Sequence, residues 1–194
     1  MSGETAFRLL VIGLLLLPLA TMASPKSAAA GRLQKALRAV IGGAFTFASG
    51  ATLLLLIVQL LVVLLRSVFS VSFIWLQEST LYLFGAIFLL ASAALLLSEG
   101  HVRVDLFYAK LTPRQQSVVD LLGLVLFVIP VCALIILVSW DYVATSWAQM
   151  ERSQEPSGIH AVFLLKTLIP AFAVLLMLAA ELRILELVRG RASA

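Results

Sequence analysis

The sequence predicts an all-α fold, a multi-pass membrane bundle of four main transmembrane helices. Three observations carry this. First, 62% of the 194 residues are hydrophobic and only 12% are charged. A soluble domain is about half apolar and about a quarter charged. Second, four stretches of about 20 residues or more are nearly free of charge, the length a helix needs to cross the hydrocarbon. They are Ile41–Leu65, Ser79–Leu97, Leu121–Trp140 and Ala161–Leu182. Third, none of them alternates apolar and polar residues at period two, so strands are a poor alternative.

Along the chain, the first element is the least determined. Leu9–Ala20 is apolar, short and followed by the small residues Thr21–Ser24. It fits three readings: a signal-peptide core, an extra helix, or an upstream stretch preceding a true start at Met22. Residues 1–30 are therefore set apart as an N-terminal segment and linker, and 31–190 as the membrane domain. Arg32–Ala39 is basic and is expected to lie on the membrane surface before the first span.

The stretch 66–78 mixes Phe69, Phe73 and Trp75 with serines, which suits the interface where aromatic rings sit well. The connection 98–117 is better specified. Val104, Phe107, Tyr108 and Leu111 recur at helical spacing, so an amphipathic interfacial helix is expected there. Thr112-Pro113-Arg114-Gln115 then has the capping-box pattern, with proline at the first helical position. A helix should start at Pro113 and run to about Trp140. Trp140, Tyr142 and Trp147 repeat the aromatic belt, and Glu155-Pro156-Ser157-Gly158 reads as a turn before the last helix. Pro130 and Pro170 should bend the helices that contain them.

Basic residues set the orientation. Ten lie before the first span, between the second and third, and after the fourth: Lys26, Arg32, Lys35, Arg38, Arg103, Lys110, Arg114, Arg183, Arg189 and Arg191. Only three, Arg66, Arg152 and Lys166, lie on the other side. The C-terminus and the 98–117 connection should then be cytoplasmic. The net charge of +4 is accounted for by these helix ends, and nothing points to nucleic acid.

Chemistry-bearing residues are sparse. Ionisable groups are absent from the span centres, where carriers and pumps usually place them. Gln59 is the one amide within a span and is expected to bond another helix. Cys132 stands alone, and His101 and His160 have no companions at metal-ligand spacing. No cofactor and no catalytic constellation is expected. Charged residues gather instead at the boundaries: Glu78, Asp141 and Lys166 toward one surface, His101, Arg103 and Asp105 toward the other. Such groups either snorkel and pair among themselves or anchor a partner. Small residues repeat at close-packing spacing, Gly42, Thr46 and Gly50 on the first long helix and Gly85, Ala86, Ser92 and Ala93 on the second. Packing within the chain is the preferred explanation for both sets.

These residues form a family pattern. Trp75-Leu76-Gln77-Glu78 leads into a helix with Gly85, followed by Glu99-Gly100-His101-Val102-Arg103-Val104-Asp105 and Leu111-Thr112-Pro113-Arg114. The pattern resembles the small membrane subunit of tripartite ATP-independent periplasmic (TRAP) transporters, the DctQ-like family, over about residues 35–188. The resemblance implies four inner-membrane helices with both ends cytoplasmic. It implies two partners, a large TRAP permease subunit that holds the solute and ion sites and a periplasmic solute-binding protein. It also implies a non-catalytic scaffold role in ion-coupled uptake of small organic, carboxylate-like solutes. Trp75, Glu78, His101, Arg103, Asp105 and Lys166 become candidate partner-interface or membrane-anchor residues. Two departures stand out: Gln77-Glu78 replaces a pair of adjacent acids, and the arginine many relatives carry a few residues later is missing. Two other readings stay open, an independent carrier or channel acting as a homo-oligomer and a lipid-modifying enzyme. The empty span centres and the missing catalytic groups weigh against both.

Overall fold

The computed structural model describes residue 13, residues 28–98 and residues 108–192. Four helices dominate it: α1 (Ala28–Ser67), α2 (Ile74–Leu97), α3 (Pro113–Ala148) and α4 (Val162–Ala192). Each is long and apolar enough to cross a membrane. Among the described residues there is no strand. The N-terminal segment that allowed three readings falls almost wholly outside the described residues.

α1 has 40 residues and runs without interruption. The expected surface segment Arg32–Ala39 is its first part and not a separate element. At 1.5 Å per residue α1 is about 60 Å long, twice the about 30 Å of hydrocarbon. It must therefore tilt or project beyond the core. It ends before Ser70, whose φ of 54° turns the chain.

α2 starts at Ile74, earlier than the expected Ser79. Phe73 takes the extended N-cap conformation without a side-chain cap, and the Gln77 side chain instead donates to Ser72 Oγ at 2.7 Å. Trp75, Gln77 and Glu78 thus belong to the first turns of a helix, not to a loop.

The start of α3 follows the sequence. Thr112 Oγ1 accepts from the Gln115 N–H, and Gln115 Oε1 accepts from the Thr112 N–H at 2.9 Å. The capping box is complete, with Pro113 at the first turn. Leu124–Val128 widens into a π turn, and the Ile129 N–H bonds back to the Leu124 carbonyl. Pro130 explains the position of this turn. It has no N–H to give, and its ring would crowd the carbonyl four residues back, so a looser turn relieves the clash. α3 continues to Ala148, two turns past the expected Trp140.

α4 is the hub, in contact with α1, α2 and α3, while α1 pairs chiefly with α2. One core cluster joins Ile129, Cys132, Ala133 and Ile136 of α3 to Ala173, Met177, Ala180 and Ile184 of α4. These recur every three or four residues, one face of each helix. A second joins Leu37 and Ile41 of α1, Ala93 of α2, and Ala179 and Leu182 of α4. Small residues face large ones, so the backbones come close. In lipid that matters more than apolarity, because the acyl chains outside are as apolar as leucine. Large apolar side chains such as Leu53, Phe88, Phe127 and Val138 point outward.

Candidate functional site

At one end of the bundle, the segment 149–161 folds back onto the starts of α2 and α4. Glu78 holds it. Its carboxylate accepts a hydrogen bond from the Ser153 hydroxyl and another from the Ile159 N–H at 2.6 Å. The segment also closes on itself, with the Ser153 N–H donating to Ile159 O at 3.2 Å and the Val162 N–H to Glu151 O at 3.1 Å. Gly158 is buried at the centre, because a Cβ there would stand 2.3 Å from Ser153 Oγ and 2.8 Å from Glu78 Oε1. Only glycine lets the turn approach the carboxylate this closely.

Lys166 works beside it. Its ammonium is 2.5 Å from a Glu151 carboxylate oxygen and 4.0 Å from the centre of the Tyr142 ring. The Lys166 hydrogen bond holds the Glu151 carboxyl below its usual range, against the opposing effect of burial. Trp147 ties α3 to α4 by donating to Thr167 Oγ1 at 2.8 Å and by an edge contact with Phe163 at 4.6 Å. An open cleft of about 480 Å³ lies among Asp141, Tyr142, Thr145, Ser146 and Gln149, with Glu151 and Lys166 at its edge. Trp75 behaves differently. It is 51% exposed, with the Phe73 ring centre 6.3 Å from its own.

At the other end, ion pairs link the helices. Arg38 of α1 meets Glu186 of α4 at 2.5 Å, and Arg183 of α4 lies 3.8 Å from Asp120 of α3. The Tyr108 hydroxyl donates to Asp120 at 3.0 Å, and the Gln116 amide donates to the Tyr108 carbonyl. Tyr108, Asp120 and Arg183 border a cleft of about 410 Å³ whose other walls include Leu96, Leu124, Phe127 and Val128. His101, Arg103 and Asp105 lie outside the described residues. So do Val104 and Phe107 of the expected interfacial helix.

Residues 54–190 match the family described as tripartite ATP-independent periplasmic transporters, DctQ component. This chain belongs to the DctQ family. No curated protein and no solved structure matches it. Family and helices together make it a multi-pass inner-membrane protein and the small component of a TRAP transporter.

The sequence paired Glu78 and Lys166 as boundary charges, and the structure brings both to one segment of this DctQ chain. They do not pair with each other; each fastens 149–161 from a different helix. Trp75, in the same first turns as Glu78, is the candidate left facing outward. Gln59 departs from expectation. It is exposed on α1 and makes no side-chain hydrogen bond among the described residues. The small residues divide as well. At Gly85 a Cβ would meet Leu165 and Leu168 at 3.4 and 3.5 Å, so this glycine serves packing within the chain. Around a Cβ at Gly42 or Gly50 nothing lies within 4 Å among the described residues, and Thr46 between them is exposed, so the stripe expected to pack internally faces outward.

One residue escaped the sequence reading altogether. Glu181 lies in the α4 span, 1% exposed, and among the described residues neither carboxylate oxygen has a hydrogen-bond partner. It sits near the end of the fourth apolar run, where a lone acid reads as the boundary of the membrane. Only packing by three neighbouring helices shows that it is interior.

Proposed function

We propose that this chain is the non-catalytic scaffold of its transporter, holding the large permease subunit in place while that subunit binds and moves the solute. The observation that carries this is the outward face of α1. Gly42, Thr46 and Gly50 recur every four residues on the side away from Leu37, Ile41 and Ala48, which are buried against the bundle. Such residues let a second backbone approach, which is how helices associate in lipid. Gln59 supports the same reading, because an amide left in hydrocarbon without a partner costs about 4–8 kcal/mol on the water-to-cyclohexane scale. A polar group on the permease would satisfy it. The two ends then divide the remaining work. The clamped 149–161 segment and Trp75 face the periplasm, toward the solute-binding protein, and the basic end with the C-terminus faces the cytoplasm. The cargo is a small organic solute, carboxylate-bearing, moved with an ion gradient.

The test is co-purification and reconstitution. The large subunit is expressed with this chain, recovered in detergent, and assayed for uptake into liposomes with the binding protein and a sodium gradient. Gly50→Leu should lower recovery of the complex, and uptake should fall in proportion with substrate preference unchanged. Uptake by this chain alone would overturn the reading. It would favour the alternative that the exposed Gln59 also permits, a homo-oligomer that lines a path of its own.

A further inference from the structure

The end of α3 carries a polar face that the 149–161 segment leaves open. Asp141, Tyr142, Thr145, Ser146 and Gln149 recur at helical spacing on one side of the helix. They extend about 12 Å along its axis at 1.5 Å per residue. All five line the cleft of about 480 Å³, with Glu151 and Lys166 at its edge.

The charges in its walls do not balance. There are two carboxylates, Asp141 and Glu151, and one ammonium, Lys166. The ammonium is already engaged by Glu151 and by the face of the Tyr142 ring. Arg152, exposed on the same segment, is not among the walls. Asp141 is exposed and makes no ion pair or hydrogen bond among the described residues. Ser146 is an independent sign. It is 2% exposed, and its hydroxyl is close enough to Glu151 to help hold that carboxyl in its charged form. Yet it has no hydrogen bond of ordinary geometry among the described residues. A buried hydroxyl left so is costly, and in the wall of a cleft it marks a place for an incoming donor.

The shape of the cleft narrows the occupant. Pockets for small molecules enclose most of the ligand's surface. This one is open, which suits a side chain presented by another protein. That protein comes from the aqueous side, because α1 packs chiefly on α2, whereas the cleft is built from α3, the start of α4 and the 149–161 segment.

We propose that this cleft is a socket for a basic side chain, an arginine or lysine carried by the periplasmic solute-binding protein. The proposal rests on the scaffold reading for the side of the membrane it faces. A guanidinium or ammonium has only donors to offer, and the walls supply acceptors: the Asp141 carboxylate, the Thr145 and Ser146 hydroxyls and the Gln149 carbonyl. Lys166, held on Glu151, repels a cation from its own edge and steers it toward Asp141. A contact of this kind sets the rate of encounter and its dependence on salt.

The test measures binding of the purified solute-binding protein to nanodiscs that hold this chain, with and without the large subunit, at low and physiological salt. Asp141→Asn should weaken binding about tenfold at low salt and flatten the salt dependence. Ser146→Ala should weaken it about threefold. The Ser146→Ala chain alone should melt no lower than wild type, since the change removes a buried hydroxyl without a hydrogen bond. Recovery of the large subunit should be the same in both variants. Wild-type binding that neither substitution alters would overturn the proposal, and so would a wild-type chain that does not bind the solute-binding protein in either nanodisc. Free arginine that raises the melting temperature of the wild type but not of Asp141→Asn, with no effect of either variant on protein binding, would make the cleft a small-molecule site instead. Failure to recover the large subunit with the wild type would count against the scaffold reading, while the nanodiscs with this chain alone still decide the socket.

Discussion

α4 and α1 are both long apolar helices, and they use their surfaces in opposite ways. α4 is enclosed by its own chain. Ala173, Met177, Ala179, Ala180 and Leu182 have no exposed surface, and three helices lie around them. α1 is enclosed on one side only, along Leu37, Ile41, Ala48 and Ala51. Its glycines look away from that side into open space. Composition does not separate the two helices, since both are rich in leucine and small residues. What separates them is whether the small residues meet a neighbour in this chain. A helix with its small face filled is part of a self-sufficient fold. A helix with that face empty leaves room for a second backbone beside it.

The largest effect should come from the self-sufficient part. Gly158→Val forces a side chain into the space held by Ser153 and Glu78. Overpacking of this kind costs about 3 kcal/mol when backbone must move. The chain alone, in detergent, should lose thermal stability by several degrees, and a protease should cut within 149–161. An unchanged melting curve would show that this segment is not fastened as described.

A matched pair sharpens the contrast between the helices. Gly85→Leu and Gly50→Leu make the same chemical change. At Gly85 the new side chain runs into Leu165 and Leu168, so the isolated chain should lose about 1–3 kcal/mol. At Gly50 nothing is in the way, and the isolated chain should stay within about 0.5 kcal/mol of wild type. In the presence of the large subunit the order should reverse, with Gly50→Leu losing more complex on co-purification. Equal effects at both sites in both assays would erase the difference between α1 and α4.

The spans were legible because 20 charge-poor residues in a row have few other uses, and the capping box at Thr112 was legible because it is local. Helix ends were less so. The starts of α2 and the end of α3 lie in amphipathic stretches where aromatic and polar residues suit either a helix or an interface. Which way Gly42, Thr46 and Gly50 face could not be read at all, because spacing gives a stripe but not its direction. Glu181 was hidden for a related reason. Its position along α4 is plain in the sequence, while its enclosure depends on the crossing of four helices. Glu78 was singled out as a boundary charge, yet its partners Ser153 and Ile159 lie 75 and 81 residues away, beyond any local pattern.

The smallest effect concerns the second fastening of 149–161, the pair Glu151–Lys166. Lys166 holds Glu151 below the ordinary carboxyl value of 4.5, so the folded state binds that proton less readily than the unfolded state. The stability this contributes is complete above the ordinary value and is lost as pH falls below it through the lowered one. Acid should therefore loosen the segment in the wild type, and Glu151→Gln should remove that component of the acid transition while leaving neutral-pH stability only slightly reduced. The reduction is small because Glu151 is 35% exposed and water screens the pair. Lys166→Met tests the same contact from α4 and should give the same loss of acid sensitivity, since either substitution removes one half of one ion pair. Glu78 is untouched in both variants, so the segment stays fastened to α2. Limited proteolysis within 149–161 across the acid range measures the effect. Acid loosening that persists unchanged in both variants would place it at another group and leave Glu78 as the fastening that matters.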